Sequence, residues 1–296
     1  MKSVYLFLAG LFCFRAAAQD PLPPIGEWRE HLPYNTAIGI AAAAAKIYCA
    51  TPYSLFAISL PGNEVERYSR ITGLSETGIS TIAYDEVNKK LLVAYNNSNL
   101  DLLNGNEVFN IPDLKRDNIT GDKTVYRIYP KGNNFYLSTG LGIVVADAVR
   151  LEIRDTWFIG TAGSQVKVNG LISDASFFYA ATAEGLKKAS VNAGNLADYT
   201  AWQLVSGSNG LPAGAAQNVL LLQDKVLVQK NDSLFIQSGS NWSLFYTDGW
   251  NIINSNIAEN KLLLCERLGT NVRVAVVNPD ASIAGTAGSS NAVQLP

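Results

Sequence analysis

The chain of 296 residues has one histidine and three cysteines, and only 16% of it is charged. A single histidine excludes a multi-histidine metal centre. It also obliges any Ser-His-Asp or Cys-His catalytic arrangement to be built on His31. His31 stands at the end of a strand-like stretch before a proline turn, Arg29-Glu30-His31-Leu32-Pro33-Tyr34, where a hydrogen-bonded surface histidine is expected. No cysteine pair has zinc-ligand spacing. The net charge of -2 leaves no basic footprint for nucleic acid. With 48% hydrophobic residues, a disordered chain is excluded as well. Beyond the first residues there is no apolar run long enough for a membrane helix, so no transmembrane segment is expected in the mature chain.

Chemistry-bearing patterns are equally sparse. Glu64/Glu66, Asp85/Glu86 and Asp113/Asp117 are acid pairs in polar, turn-like stretches, the usual place for solvated carboxylates. Gly140-Leu141-Gly142 lacks the strand, Gly-rich loop and helix of a phosphate site. Lys230-Asn231-Asp232-Ser233 has too few carboxylates for a calcium loop. No catalytic residue, metal ligand or cofactor site is assigned, and the chain is expected not to be an enzyme.

The N-terminus reads as an export signal. Lys2 precedes the apolar run Val4–Phe14, which is too short to span a bilayer, and the small residues Ala16-Ala17-Ala18 follow. Residues 1–18 are expected to be removed, leaving Gln19 first. Phe12 before Cys13 disfavours a lipid anchor there, because such sites take a small residue. Cys49 and Cys265 then remain.

Internal repetition is the strongest signal. Six segments share a β-rich strand, a polar turn and a second strand, beginning at Tyr48, Leu92, Tyr136, Tyr179, Leu227 and Leu263, about 43 residues apart. Leu55, Leu100, Ile143, Leu186, Leu234 and Val272 recur at nearly constant offsets after these anchors. Another strand-like stretch precedes each anchor: Ala37–Ile40, Ile79–Tyr84, Thr124–Tyr129, Val166–Ile172, Gln217–Leu222 and Asn251–Ile257. A fourth often follows, usually with an aromatic: Arg67–Ser69, Thr156–Ile159, Trp202–Val205 and Trp242–Tyr246. Glycine punctuates these segments, as in Gly73-Leu74-Ser75 and Asn209-Gly210-Leu211-Pro212.

Four antiparallel strands at this period make an all-β chain, a β-propeller. One four-stranded sheet covers neither of its faces, and stacking blades around an axis covers both. Six blades are visible of an expected seven, in a propeller spanning 19–278. Residues 279–296, rich in Ala, Gly and Ser, are expected as a low-complexity tail or the start of a missing last blade. Gly26–His31 resembles an outermost strand with no blade of its own. Ile40–Lys46 has helical propensity, yet the register makes it the hairpin between two strands. Cys49 and Cys265 fall one and two positions past their anchors. They therefore point to opposite blade faces and are expected as buried free thiols.

Two surfaces are candidates for binding. The charged loop from Lys115 to Lys123 carries Lys115, Arg116 and Lys123, which suit a partner protein or an anionic glycan. Trp157, Trp202 and Trp242 have the chemistry to stack on sugars, but their outer-strand positions point to blade-to-blade packing.

Several stretches in order resemble one family. They are Gly26-Glu27-Trp28-Arg29-Glu30-His31-Leu32-Pro33-Tyr34-Asn35, Lys46-Ile47-Tyr48-Cys49-Ala50-Thr51-Pro52-Tyr53-Ser54-Leu55-Phe56, Gly73–Ser75 with Gly78–Tyr84, Ile111–Arg116, Leu137–Val145 and Phe178–Thr182. They are similar to the N-terminal propeller of the PorZ family of the type IX secretion system, across about residues 26–215. The first two stretches are the specific part, since Gly-Leu-Ser and Gly-Leu-Pro turns occur in all two-component-regulator-type propellers. The resemblance implies two consecutive seven-bladed propellers and a C-terminal β-domain, exported to the periplasm and displayed at the outer membrane. It implies a non-catalytic scaffold in an attachment complex with a sortase-like protease, which links cargo to anionic lipopolysaccharide. The chain ends before the second propeller of that pattern. A second reading is the periplasmic glycan-sensing propeller of a hybrid two-component regulator.

Overall fold

The computed structural model describes residues 31–289. The expected signal at 1–18, Cys13 and most of the Gly26–His31 stretch lie outside the described residues.

Six four-stranded antiparallel sheets follow one another along the chain, each a meander. Blade one is β1–β4 (Gly39–Ala42, Lys46–Ala50, Leu55–Ser59, Val65–Tyr68). Blade two is β5–β8 (Ile79–Asp85, Lys90–Tyr95, Leu100–Asn104, Glu107–Ile111). After the one-turn helix α1 (Asp113–Arg116) comes blade three, β9–β12 (Val125–Lys131, Asn134–Thr139, Ile143–Asp147, Glu152–Trp157). Blade four is β13–β16 (Val168–Ser173, Phe177–Thr182, Gly185–Ser190, Gln203–Leu204). Blade five is β17–β20 (Asn218–Leu222, Lys225–Lys230, Ser233–Ser238, Asn241–Tyr246). Blade six is β21–β24 (Asn251–Ala258, Lys261–Leu268, Asn271–Val277, Ile283–Ser289). The described residues thus form an all-β propeller of six blades.

Every repeat anchor lies in the second strand of its blade, and Leu55, Leu100, Ile143, Leu186 and Leu234 are fully buried at the head of the third. The alanine run turns as the register requires. Ala42 pairs with Ile47, and the Ala43 N–H donates to the Lys46 carbonyl at 2.8 Å. Two fourth strands lie outside the stretches expected from the sequence: Glu107–Ile111, which does carry an aromatic, Phe109, and Ile283–Ser289. The second corrects the reading of 279–296. Part of that Ala/Gly/Ser stretch pairs with Asn271–Val277 as the outer strand of blade six, because an edge strand needs backbone partners more than a large side chain.

Five apolar clusters lie in succession, one between each pair of consecutive blades. An inner blade is therefore buried on both faces, and its second strand reads as a continuous apolar run. Leu91, Leu92, Val93, Ala94 and Tyr95 are all at most 1% exposed. Each leucine or valine among them contributes about 1.5–3 kcal/mol on burial. The second strand of blade six alternates instead: Leu262, Leu264 and Glu266 are buried, Leu263 and Cys265 half-buried. Among the described residues no apolar cluster joins blade six to blade one.

That end-face geometry also corrects the expectation of buried thiols. Cys49 and Cys265 are free but only half-buried. Cys49 stands in the cross-strand row Ile40–Cys49–Phe56, on the face of blade one turned away from blade two. Cys265 stands in the row Asn254–Cys265–Val274, on the face of blade six turned away from blade five.

Glycine fixes the entry to some outer strands. Gly142 and Gly210, both at positive φ, lie against the Trp157 and Trp242 carbonyl oxygens, where a Cβ would overlap the backbone. The three tryptophans named above are each 6% exposed and sit in the inter-blade clusters. Trp157 donates its indole N–H to Asp155 at 2.8 Å and Trp202 to the Leu196 carbonyl at 2.9 Å. They are packing residues.

Candidate functional site

The first strands of all six blades line one cavity of about 670 Å³. One position in each of them is structurally equivalent, paired in every blade with the residue two past the repeat anchor. These six are Gly39, Thr81, Arg127, Gly170, Asn218 and Asn254, facing Ala50, Ala94, Ser138, Ala181, Gln229 and Cys265. All six line the cavity. Register shifts lie beside Thr81, Arg127, Gly170 and Asn254. Bulges of this kind re-aim a strand's side chains.

The ring holds one charge, Arg127. Its Nη2 donates to Asn254 Oδ1 at 2.9 Å, joining blade three to blade six. Gly170 gives Asn218 its room: a Cβ there would lie 2.8 Å from Asn218 Oδ1, and at an ordinary contact distance of 3.6 Å from Arg127 Cδ. Water reaches Arg127 through the cavity, but protein atoms crowd it. That desolvation lowers the guanidinium's proton affinity below its ordinary value without discharging it.

The asparagines are fixed by their neighbours. Asn218, Asn254 and Asn256 each accept the N–H of the following residue on Oδ1, at 3.0, 2.9 and 2.8 Å. Asn218 Nδ2 donates to the Ser255 carbonyl and hydroxyl, both at 2.9 Å, and the Ser255 hydroxyl donates to Gln229 Oε1 at 2.8 Å. This buried network locks blade five to blade six. Nearby, Tyr126 donates its hydroxyl to Asp122, which together with burial pushes the phenol up to about 12.

The charged loop picked out in the sequence stays together, but two of its cations have structural partners. Lys115 Nζ pairs with Glu76 Oε1 at 2.5 Å. Lys123 Nζ donates to the carbonyls of Leu114 at 3.0 Å and Asp117 at 2.7 Å, closing the end of α1. Arg116 is exposed. His31 is exposed too. Among the described residues no group of three His, Cys, Asp or Glu could hold a metal ion. No helix there is long and apolar enough to cross a membrane.

A smaller cavity of about 370 Å³ lies beside blades three and four, lined by Lys131, Arg154 and Asp155 over Trp157 and Phe178. Lys131 is already engaged there, 2.5 Å from the Ser173 hydroxyl and 4.8 Å from the Phe178 ring centroid.

Sequence reasoning did not find the channel ring. The signal that reveals it is comparison of the first strands at one register position, where five residues are small or neutral and one is arginine.

No curated protein matches the chain. Among solved structures it is similar to PorZ, described as an essential bacterial surface component of the type IX secretion system of Porphyromonas gingivalis. The identity is 23% and the TM-score 0.71, over 84% of this chain and 32% of that one. It is also similar to the extracellular domain of a protein named as a hybrid two component system of B. thetaiotaomicron, at 14% identity and TM-score 0.63, over 88% of this chain and 37% of that one. A fungal propeller, Swd1 of Myceliophteria thermophila, matches at 10% identity and TM-score 0.62, over 86% and 87%. The chain thus spans about a third of the length of the two bacterial structures. Identities this low carry the fold alone. The family described as the type IX secretion PorZ N-terminal beta-propeller domain matches residues 47–203. That stretch is more than half of the chain and takes in all of blades two and three, and on it this chain belongs to the PorZ N-terminal β-propeller family.

Proposed function

We propose that this propeller is a non-catalytic docking module of a type IX secretion attachment complex. It is exported and displayed at the outer membrane, where it works beside a sortase-like protease that links cargo to anionic lipopolysaccharide. The observation that carries this reading is the family match across 47–203. The likeness to PorZ over 84% of the chain adds the shared fold. Paired sheets with cores between them give a rigid body whose loops are free to present contacts. Lys115, Arg116 and Lys123 stand in one such loop, and Arg116 is its most available cation for a partner or an anionic glycan.

Deleting the gene in the bacterium that encodes it tests the reading. Cargo is expected to lose its attachment to the cell surface and reappear on complementation. Unchanged attachment would overturn the proposal.

A second reading rests on the likeness to the hybrid two component extracellular domain. There the propeller would sense glycan fragments, and deletion would change transcription of glycan-use genes while leaving cargo attached.

A further inference from the structure

We infer that the central channel is a binding site for the carboxylate of a small polyhydroxylated acid, such as a uronate, with Arg127 as its anion anchor. The site goes beyond the docking role and stands on the channel's own chemistry.

The first argument is charge. Arg127 is the one ionised side chain among the residues lining the cavity, and no aspartate or glutamate lines it. A guanidinium in a confined, crowded channel without a counter-charge is costly, and an incoming anion offsets that cost. One arginine suits one carboxylate, which it grips through two parallel N–H donors. The bond to Asn254 uses one donor of the five, so a fork remains free.

The second argument is the direction of the remaining hydrogen bonds. The Asn254 and Asn256 carboxamide oxygens are occupied by backbone N–H groups, which fixes their orientation. Their NH₂ groups are therefore turned to the remaining side. The acceptors are used and donors are left over, which favours an anion over a cation. The Thr81 hydroxyl adds a group suited to sugar hydroxyls, and the cavity volume falls in the ordinary range of small-ligand pockets.

The third argument is room. Gly39 and Gly170 hold the equivalent ring position in blades one and four, where they add no side chain to the channel. The glycines keep the channel open beside the charge.

Calorimetric titration of the purified protein with D-glucuronate, D-glucose and inorganic phosphate tests the inference. Glucuronate is expected to bind, and glucose, the same ring without the charge, to bind at least tenfold more weakly. Arg127→Gln should weaken glucuronate tenfold or more, and Arg127→Lys should lose less. Asn254→Ala should weaken it severalfold, which keeps the test open if Arg127→Gln does not fold. Equal binding of glucose, undiminished binding to Arg127→Gln, or binding of phosphate without glucuronate would each overturn it. The readout is independent of cargo attachment, so this site and the docking role can fail separately.

Discussion

Arg127 and Asn254 lie on the first strands of blades three and six and meet across the channel, Nη2 to Oδ1, at 2.9 Å. Gly170, at the same register position in blade four, gives Asn218 the room it takes beside this contact. Gly170→Ala tests that dependence. The new methyl would fall 2.8 Å from Asn218 Oδ1, on a side chain already held by Ser255. Urea unfolding should show a loss of about 1–2 kcal/mol, and glucuronate binding should weaken although Arg127 is unchanged. Full retention of both would show that the glycine is incidental.

Gly142→Ala and Gly210→Ala should be more severe. Each forces a Cβ against a tryptophan carbonyl oxygen at a positive φ that only glycine adopts easily. A loss of about 2–4 kcal/mol is expected for each. Unfolding midpoints within error of the parent would contradict the packing described for Trp157 and Trp242.

Glu184 and Lys187 give a pH-dependent test. Lys187 is 5% exposed; its ammonium reaches the Ile159 carbonyl at 2.6 Å and Glu184 Oε2 at 2.6 Å. Burial raises the Glu184 pKa, but the bonds from Lys187 and from the Thr161 N–H and hydroxyl outweigh it, and the net direction is down. A carboxylate lowered on folding stabilises fully above its unfolded pKa, and that contribution is lost as pH falls through the folded one. Glu184→Gln should therefore destabilise by about 1–3 kcal/mol near neutral pH, with the gap to the parent closing in acid. A gap constant with pH would sink this assignment.

The two free thiols should be modifiable in the folded protein, because Cys49 and Cys265 stand on the end faces of the blade series and not in an inter-blade core. Burial raises both thiol pKa values, and Glu266 raises that of Cys265 further. At a given pH less thiolate is present, so both should react more slowly than free cysteine, with rates still climbing where free cysteine has levelled off. Mass spectrometry after maleimide pulses would read both sites. Protection of Cys49 and Cys265 until global unfolding would contradict their placement.

The repeat was legible because each blade restates one pattern in its second and third strands. Tyr48, Leu92, Tyr136, Tyr179, Leu227 and Leu263 each stand two residues inside a second strand. Those strands lie mid-sheet, between two packed faces, and carry the densest apolar signal. Outer strands carry less. Glu107–Ile111 sets Phe109 between the polar Glu107 and Asn110 on an edge, and Ile283–Ser289 is mostly small residues, so neither has a strong apolar pattern. The channel was illegible for a different reason. Arg127 sits in Val-Tyr-Arg-Ile-Tyr-Pro-Lys, an ordinary strand sequence, and its setting depends on residues from five other blades. The cations that did stand out, Lys115 and Lys123, are clustered in sequence but engaged by structural partners, Lys115 by Glu76 and Lys123 by carbonyls of its own loop.

The most direct test of the account is affinity purification of the protein from the outer membranes of its own bacterium, followed by mass spectrometry of what accompanies it. The docking account predicts a sortase-like protease in comparable amount with the bait. Recovery of the bait alone, or in one polypeptide with a kinase, would contradict it.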